Sequence, residues 1–190
     1  MSTRLRALDA AVDVVGADGV RALTHARVDA AAGLPRGSTS NHFRTRAALV
    51  AGVIAHIAEL ERADARIPEI RSANDLITAL TGMMEAQSGP FASRTRARYA
   101  LFLEADSDAV APLTIQREVF ERWTNGILFA LGGEAAAART TFLMAACDGL
   151  LLHRLTVDRD AELVASVGLA VDAALGGKQG APQDNQPSHG

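Results

Sequence analysis

Between Thr24 and Arg46 the chain reads THARVDAAAGLPRGSTSNHFRTR, and few architectures accommodate such a stretch. Its first half has the pattern of a short helix, with Thr24 placed to cap it and Val28, Ala31 and Ala32 forming an apolar edge. Gly33 stops that helix, because glycine adopts a left-handed backbone without a steric penalty. Leu34 and Pro35 turn the chain, and Pro35 suits the entrance of a second short helix, where no backbone N–H is needed. That second helix, about Arg36 to His42, is rich in Gly, Ser, Thr and Asn. These residues are poor helix formers, since their short side chains compete for backbone hydrogen bonds. A helix of small polar side chains, held in place by its neighbours, suits the major groove of DNA. The pattern is that of a helix-turn-helix.

Charge is distributed accordingly. The 190-residue chain carries a formal charge of −3, but residues 1–50 hold seven Arg against four Asp. The basic part is therefore the part that carries the two short helices, as attraction to phosphates requires. Hydrophobic residues make up 48% of the chain with Ala prominent, which favours helices over strands. Cys147 is the only cysteine, so an internal disulfide is excluded and a reducing, cytoplasmic setting is the simplest expectation. The N-terminus has no apolar signal region, and no apolar run approaches the length of a membrane span.

Apolar residues recur at helical spacing along the whole chain, with no strand pattern of period two. Leu5, Leu8, Val12 and Val15 predict a helix over 4–17, ended by Gly19. Arg4 and Arg6 stand at its start, where the helix dipole disfavours cations. Two readings of them stand: a nearby phosphate, or solvated side chains at a frayed end. Thr45 caps a long helix over about 46–66, with Leu49, Val50, Val53, Ile57 and Leu60 on its buried side and Pro68 closing it. Further helices are predicted at about 74–87, 92–105, 109–131, 134–155 and 161–175, giving nine in all. The fold class is all-α, with an N-terminal three-helix head at 1–48 and a helical body at 49–176. A disordered tail is expected at 177–190, which has almost nothing apolar.

The order AGLPRGSTSNHFRTRAAL, preceded by an amphipathic helix and a Leu23-Thr24 start, resembles the DNA-binding module of the TetR family of transcriptional regulators. Thr24, Ala32, Gly33, Gly37, His42, Phe43, Arg46 and Leu49 match that pattern in order and spacing. The chain departs from it at Thr39-Ser40, where the family usually has Leu-Tyr with the Tyr on a phosphate. It departs again at Asp29, where a small residue is usual. The resemblance implies a dimeric regulator, most often a repressor, whose head binds a near-palindromic double-stranded operator. It also implies a body that binds a small effector lowering DNA affinity, with no cofactor and no membrane partner.

Arg36, Gly37, Ser38, Ser40 and Asn41 are the candidates for DNA contact in the second short helix. Arg can bond guanine in bidentate fashion, Asn can do the same with adenine, and glycine permits close backbone approach. His25, near the start of its helix, suits a phosphate; Asp29, one turn later, could hold that imidazole or simply form a surface ion pair with it. Arg27 is a further phosphate candidate, and the resemblance places Thr45 and Arg46 on another phosphate. His42 is assigned to packing at the helix end and Phe43 to the core.

Catalytic arrangements are not evident. Cys147, Asp148 and His153 share a helix but point to different faces, and His56 with Glu59 lacks the further ligands of a metal site. Gly149 and Gly168, with Ala145, Ala146, Ala161 and Ala165, form small-residue faces on the last two helices. These permit close approach, either within one subunit or between two; the resemblance favours a dimer interface. For the effector, Met83, Met84, Tyr99, Phe102, Phe120, Trp123, Phe142 and Met144 are candidate walls, with Gln87 and Arg98 as polar anchors. Two rival readings remain at the level of sequence: a regulator controlled by a partner protein or by nothing, and a helical enzyme or binding module with a vestigial head.

Overall fold

The computed structural model describes residues 1–65, 68–106 and 108–176. Among these, nine α-helices and one 3-10 turn account for the regular structure, with no strand. Five helices belong to the first half: α1 (Thr3–Asp18), α2 (His25–Ala31), α3 (Ser38–His42), α4 (Arg46–Asp64) and α5 (Ala73–Ser88). Four follow: α6 (Ala92–Glu104), α7 (Ala111–Ala137), α8 (Thr140–Thr156) and α9 (Val164–Ala174). The 3-10 turn, Val20–Ala22, joins α1 to α2. The 177–190 segment and Arg66 lie outside the described residues. Among the described residues no single helix is long and apolar enough to cross a membrane.

Side-chain caps fix four of the helix starts. Ser2, Thr24, Thr45 and Ser72 each accept a backbone N–H from the first turn of α1, α2, α4 and α5. Each such cap contributes about 1 kcal/mol over alanine. Several predicted boundaries move, among them the start of α9, which is Val164 rather than 161. The predicted helix over 134–155 begins at Thr140, because residues after a kink at Gly133 (φ 72°) continue α7 for one turn. The α3 helix starts at Ser38, three residues beyond Pro35, because Gly37 holds a left-handed turn (φ 90°) before it.

Two apolar clusters form the interior. One unites α1, α2, Phe43 and α4 with Ala97 and Leu101 of α6, and with Val110 and Leu113 at the start of α7. The other joins Leu76, Leu80 and Met84 of α5 with Leu128, Leu143, Leu151, Val167 and Val171 from α7, α8 and α9. Helix α1 lies so close to α6 that a Cβ on Gly16 would fall 2.3 Å from the Ser93 carbonyl oxygen. The Ser93 hydroxyl donates to Asp13 across the same crossing (2.8 Å). Helix α6 turns Ala97 and Leu101 inward, and Leu103 is 85% exposed. Leu5 is likewise exposed, whereas Ala7, Leu8, Ala11 and Val12 are buried.

Candidate nucleic-acid interface

Helix α2 is short, and the face it buries is only partly apolar. Val28 is buried, Ala31 is exposed, and beside Val28 lies Asp29, only 3% exposed. A carboxylate so buried must be fully hydrogen-bonded to be tolerated. Its partners come from α3: Gly37 N–H donates to Oδ2 and Thr39 N–H to Oδ1, each at 2.8 Å, and the Thr39 hydroxyl donates to Oδ1 as well. Burial would raise the carboxyl's pKa. The Thr39 hydroxyl and amide, the Gly37 amide and the nearby His25 outweigh it and hold Asp29 below the ordinary carboxylate range.

Asp29 is therefore the cap of α3, supplied from another helix. The expected His25–Asp29 pair is not how the two are used. His25 Nε2–H donates instead to the Phe43 carbonyl at 2.6 Å, at the far end of α3. Phe43 is buried, and Gly52 of α4 makes room for its ring: a Cβ there would lie 2.5 Å from it. His42, assigned to packing from sequence, is exposed.

The arginines around α3 divide into two groups. Arg6 Nη2 donates to the Ala32 carbonyl at 2.8 Å and so closes the C-terminal end of α2. Arg4 lies over the Phe43 ring, 5.4 Å from its centroid, and Arg27 pairs with Asp18. Arg46 Nη2 donates to the Val20 carbonyl (2.8 Å), tying the start of α4 to the 3-10 turn. Thr45 is exposed, its hydroxyl accepting Ala48 N–H. The Arg36 and Asn41 side chains are exposed and form no hydrogen bond or ion pair with any described residue. Ser38 and Ser40 donate their hydroxyls to the Pro35 and Gly37 carbonyls, at 2.6 and 2.9 Å. Sequence reasoning missed Asp29 and Arg6 as caps, because each acts across a gap of eight residues or more.

In the body, the predicted effector residues are only partly assembled. Met84 is core, with Tyr99, Phe120 and Trp123 packed against its cluster, and Phe120 stacks on Trp123 at 5.4 Å. Met144 is buried and touches Thr124. Arg98 donates to Gln87 Oε1 (3.0 Å) and pairs with Glu61 of α4 (2.7 Å), so the two predicted anchors meet each other. Met83 is half-buried, whereas Phe102 is exposed and Phe142 is 50% exposed on α8. A groove of about 640 Å³ runs between α8 and α9, lined by residues including Ala145, Gly149, His153, Ala161 and Ser166. None of the predicted effector residues lines it. Burial, followed by the charge of Asp148, pushes the Cys147 thiol up to about 11, so it is not a thiolate at neutral pH.

Fold and site together define a helix-turn-helix regulator with an α-helical body. Residues 71–177 match the family model described as tetracyclin repressor-like, C-terminal domain, and the chain belongs to this TetR family of transcriptional regulators. A TetR family member from Streptomyces coelicolor A3 is similar at 24% identity and a TM-score of 0.65, over 92% of this chain and 98% of that one. The regulator FadR from Bacillus subtilis, solved with stearoyl-CoA, has 15% identity and a TM-score of 0.71, over 91% and 98% of the two chains. The multidrug binding protein EbrR, solved with ethidium, has 23% identity and a TM-score of 0.60, over 91% and 98%. No curated protein sequence matches the chain.

Proposed function

We propose that the chain is a sequence-specific DNA-binding regulator, acting as a repressor that a small-molecule effector releases from its operator. In this reading residues 1–48 contact DNA, with His25, Arg27, Thr45 and Arg46 at phosphates and Arg36, Gly37, Ser38, Ser40 and Asn41 at bases. The observation that carries it is α3 with the turn before it: a polar helix in the basic part of the chain, where the side chains of Arg36, in that turn, and Asn41, on the helix, are exposed and uncommitted. Arg46, Arg27 and His25 have internal partners, so the arginines would meet phosphate by sharing or exchanging those bonds and His25 through its other ring nitrogen.

Residues 49–176 bind the effector and a second copy of the chain. For dimerisation the support is Gly149, where an added Cβ would meet nothing within 4 Å of its own chain. Packing inside one subunit gives no reason for glycine there, whereas close approach of a second copy does. Exposed Leu152 and Leu169 on the same two helices supply apolar area for it. For the effector, the Met84, Tyr99, Phe120 and Trp123 material suits an apolar aromatic or acyl molecule. The ethidium and stearoyl-CoA held by EbrR and FadR are of those kinds.

Selection of bound duplexes from a random DNA pool tests the reading. A symmetric operator is expected from the wild type, and Arg36→Ala should relax preference at one base position in each half-site. Recovery of no preferred sequence would refute it.

A further inference from the structure

Helix α3 has little of its own to hold it. Five residues make less than two turns, and the sequence Ser-Thr-Ser-Asn-His consists of weak helix formers. Thr39 is the only one of them that is buried, and a threonine methyl contributes little apolar area. Both ends of the helix are instead held from α2, by two residues one turn apart. Asp29 takes three hydrogen bonds at the front, from Gly37 and Thr39, and His25 donates to Phe43 at the back. The Ser38 and Ser40 hydroxyls bond to carbonyls of the turn that Asp29 grips, so their orientation depends on the same carboxylate.

We propose that Asp29 is the positioning residue for base reading, setting the rotation and axial placement of α3 and hence where Arg36, Ser40 and Asn41 stand over base edges. It does this without touching DNA. The proposal rests on the operator-binding reading given above. It separates two kinds of affinity. The phosphate candidates Thr45, Arg46 and Arg27 lie on other elements, with caps and partners of their own. Loss of Asp29 therefore removes discrimination between sequences and leaves general attraction to duplex DNA. A carboxylate that merely stabilised the head would act otherwise, lowering binding to every duplex in proportion to the unfolded fraction.

The test uses the full chain as wild type, Asp29→Ala, Asp29→Asn and Thr39→Val, with the operator selected by the wild type and a random duplex of equal length. Amide exchange of isotope-labelled protein, without DNA, comes first. Asp29→Ala should speed exchange at Gly37 and Thr39 by about tenfold or more, the factor expected when a charge-assisted bond is lost. Amides of α1 and α4 should be unchanged. Operator affinity should then fall by about tenfold or more against the random duplex, at an unaltered salt slope. Asp29→Asn should be intermediate, because its amide turns a donor toward donors. Should Asp29→Ala fail to fold, Thr39→Val decides the matter: it loses only the hydroxyl, and a few-fold loss of preference is expected in a folded head. Equal losses on operator and random DNA that track the fall in melting temperature would overturn the proposal. So would unchanged exchange at Gly37 and Thr39. A wild type that selects no duplex would overturn the operator reading, and base reading by Asp29 with it; the exchange data would still decide whether Asp29 positions α3.

Discussion

Helix α3 buries one side chain, Thr39, whereas α1, also in the head, buries Ala7, Leu8, Ala11, Val12, Val14 and Val15. The first is held by directional bonds from Asp29 and His25, the second by apolar contact so close that Gly16 has no room for a Cβ. Packed apolar surfaces resist sliding and transmit displacement as a block. Hydrogen-bond clamps fix an orientation but lose it when a single group is changed. The side that would face DNA is thus set by a few polar atoms, and the side that meets the body is set by volume. Arg98–Glu61 and Arg94–Asp64, each 2.7 Å, add two ion pairs between α6 and α4 on the body-facing side.

The contrast can be broken most severely at Leu101, fully buried where α6 meets the head. Leu101→Ala should cost about 2–5 kcal/mol and lower the denaturant midpoint of the whole chain. A loss confined to α3 would mean that the shared core has been misjudged. Gly16→Ala is a gentler attack on the same crossing. The new methyl gains about 1 kcal/mol of helix propensity but collides with the backbone at Ser93. A net loss of about 1–2 kcal/mol is expected by chemical denaturation, since overpacking typically costs more than the propensity returns. A stabilised variant would show that α1 and α6 can separate freely.

Acid sharpens the polar side of the comparison. Asp29 has its pKa lowered in the folded chain, so its contribution is present above the unfolded value of about 3.9 and is lost as pH falls through the lower native value. Between neutral pH and about pH 4, protection of the Gly37 and Thr39 amides should therefore hold. Below that it should fall, and Asp29→Asn should lack the transition. Protection that already declined well above about pH 4 would show that a group other than Asp29 controls it. The smallest effect belongs to Arg6→Ala. It removes an exposed bond to the Ala32 carbonyl and should cost about 0.5 kcal/mol in a denaturant titration.

What the sequence made legible follows the range of the interactions involved. Thr24 and Thr45 cap helices three residues away, and both caps form as their spacing predicts. Glycines 19 and 33 end α1 and α2 by local backbone geometry, which is equally readable. The start of α3 was misplaced because its cap lies eight to ten residues back, on another helix. The inward face of α6 is not legible in the sequence, because Ala97 and Leu101 are chosen by packing against α1 and α4, while the larger Phe102 points outward. At Gly132-Gly133 a helix end and a kink have the same signature, so the sequence could not distinguish them. The effector candidates were picked by residue type, and type does not say that Phe142 faces outward while Met84 faces in.

A helix whose cap is borrowed from its predecessor is not a portable part. Exchanging only residues 38–42 for those of another regulator would leave Asp29 buried against whatever arrived at position 39. An aliphatic side chain there would strip a buried carboxylate of its hydroxyl partner and leave it two backbone N–H bonds, at a cost of about 1 kcal/mol or more. Positions 29 and 39 are therefore best changed together, and the unit for grafting is the whole of 24–43. In the proposed reading, a new target sequence would be most easily acquired through the outward side chains of Arg36 and Asn41, which no described neighbour bonds.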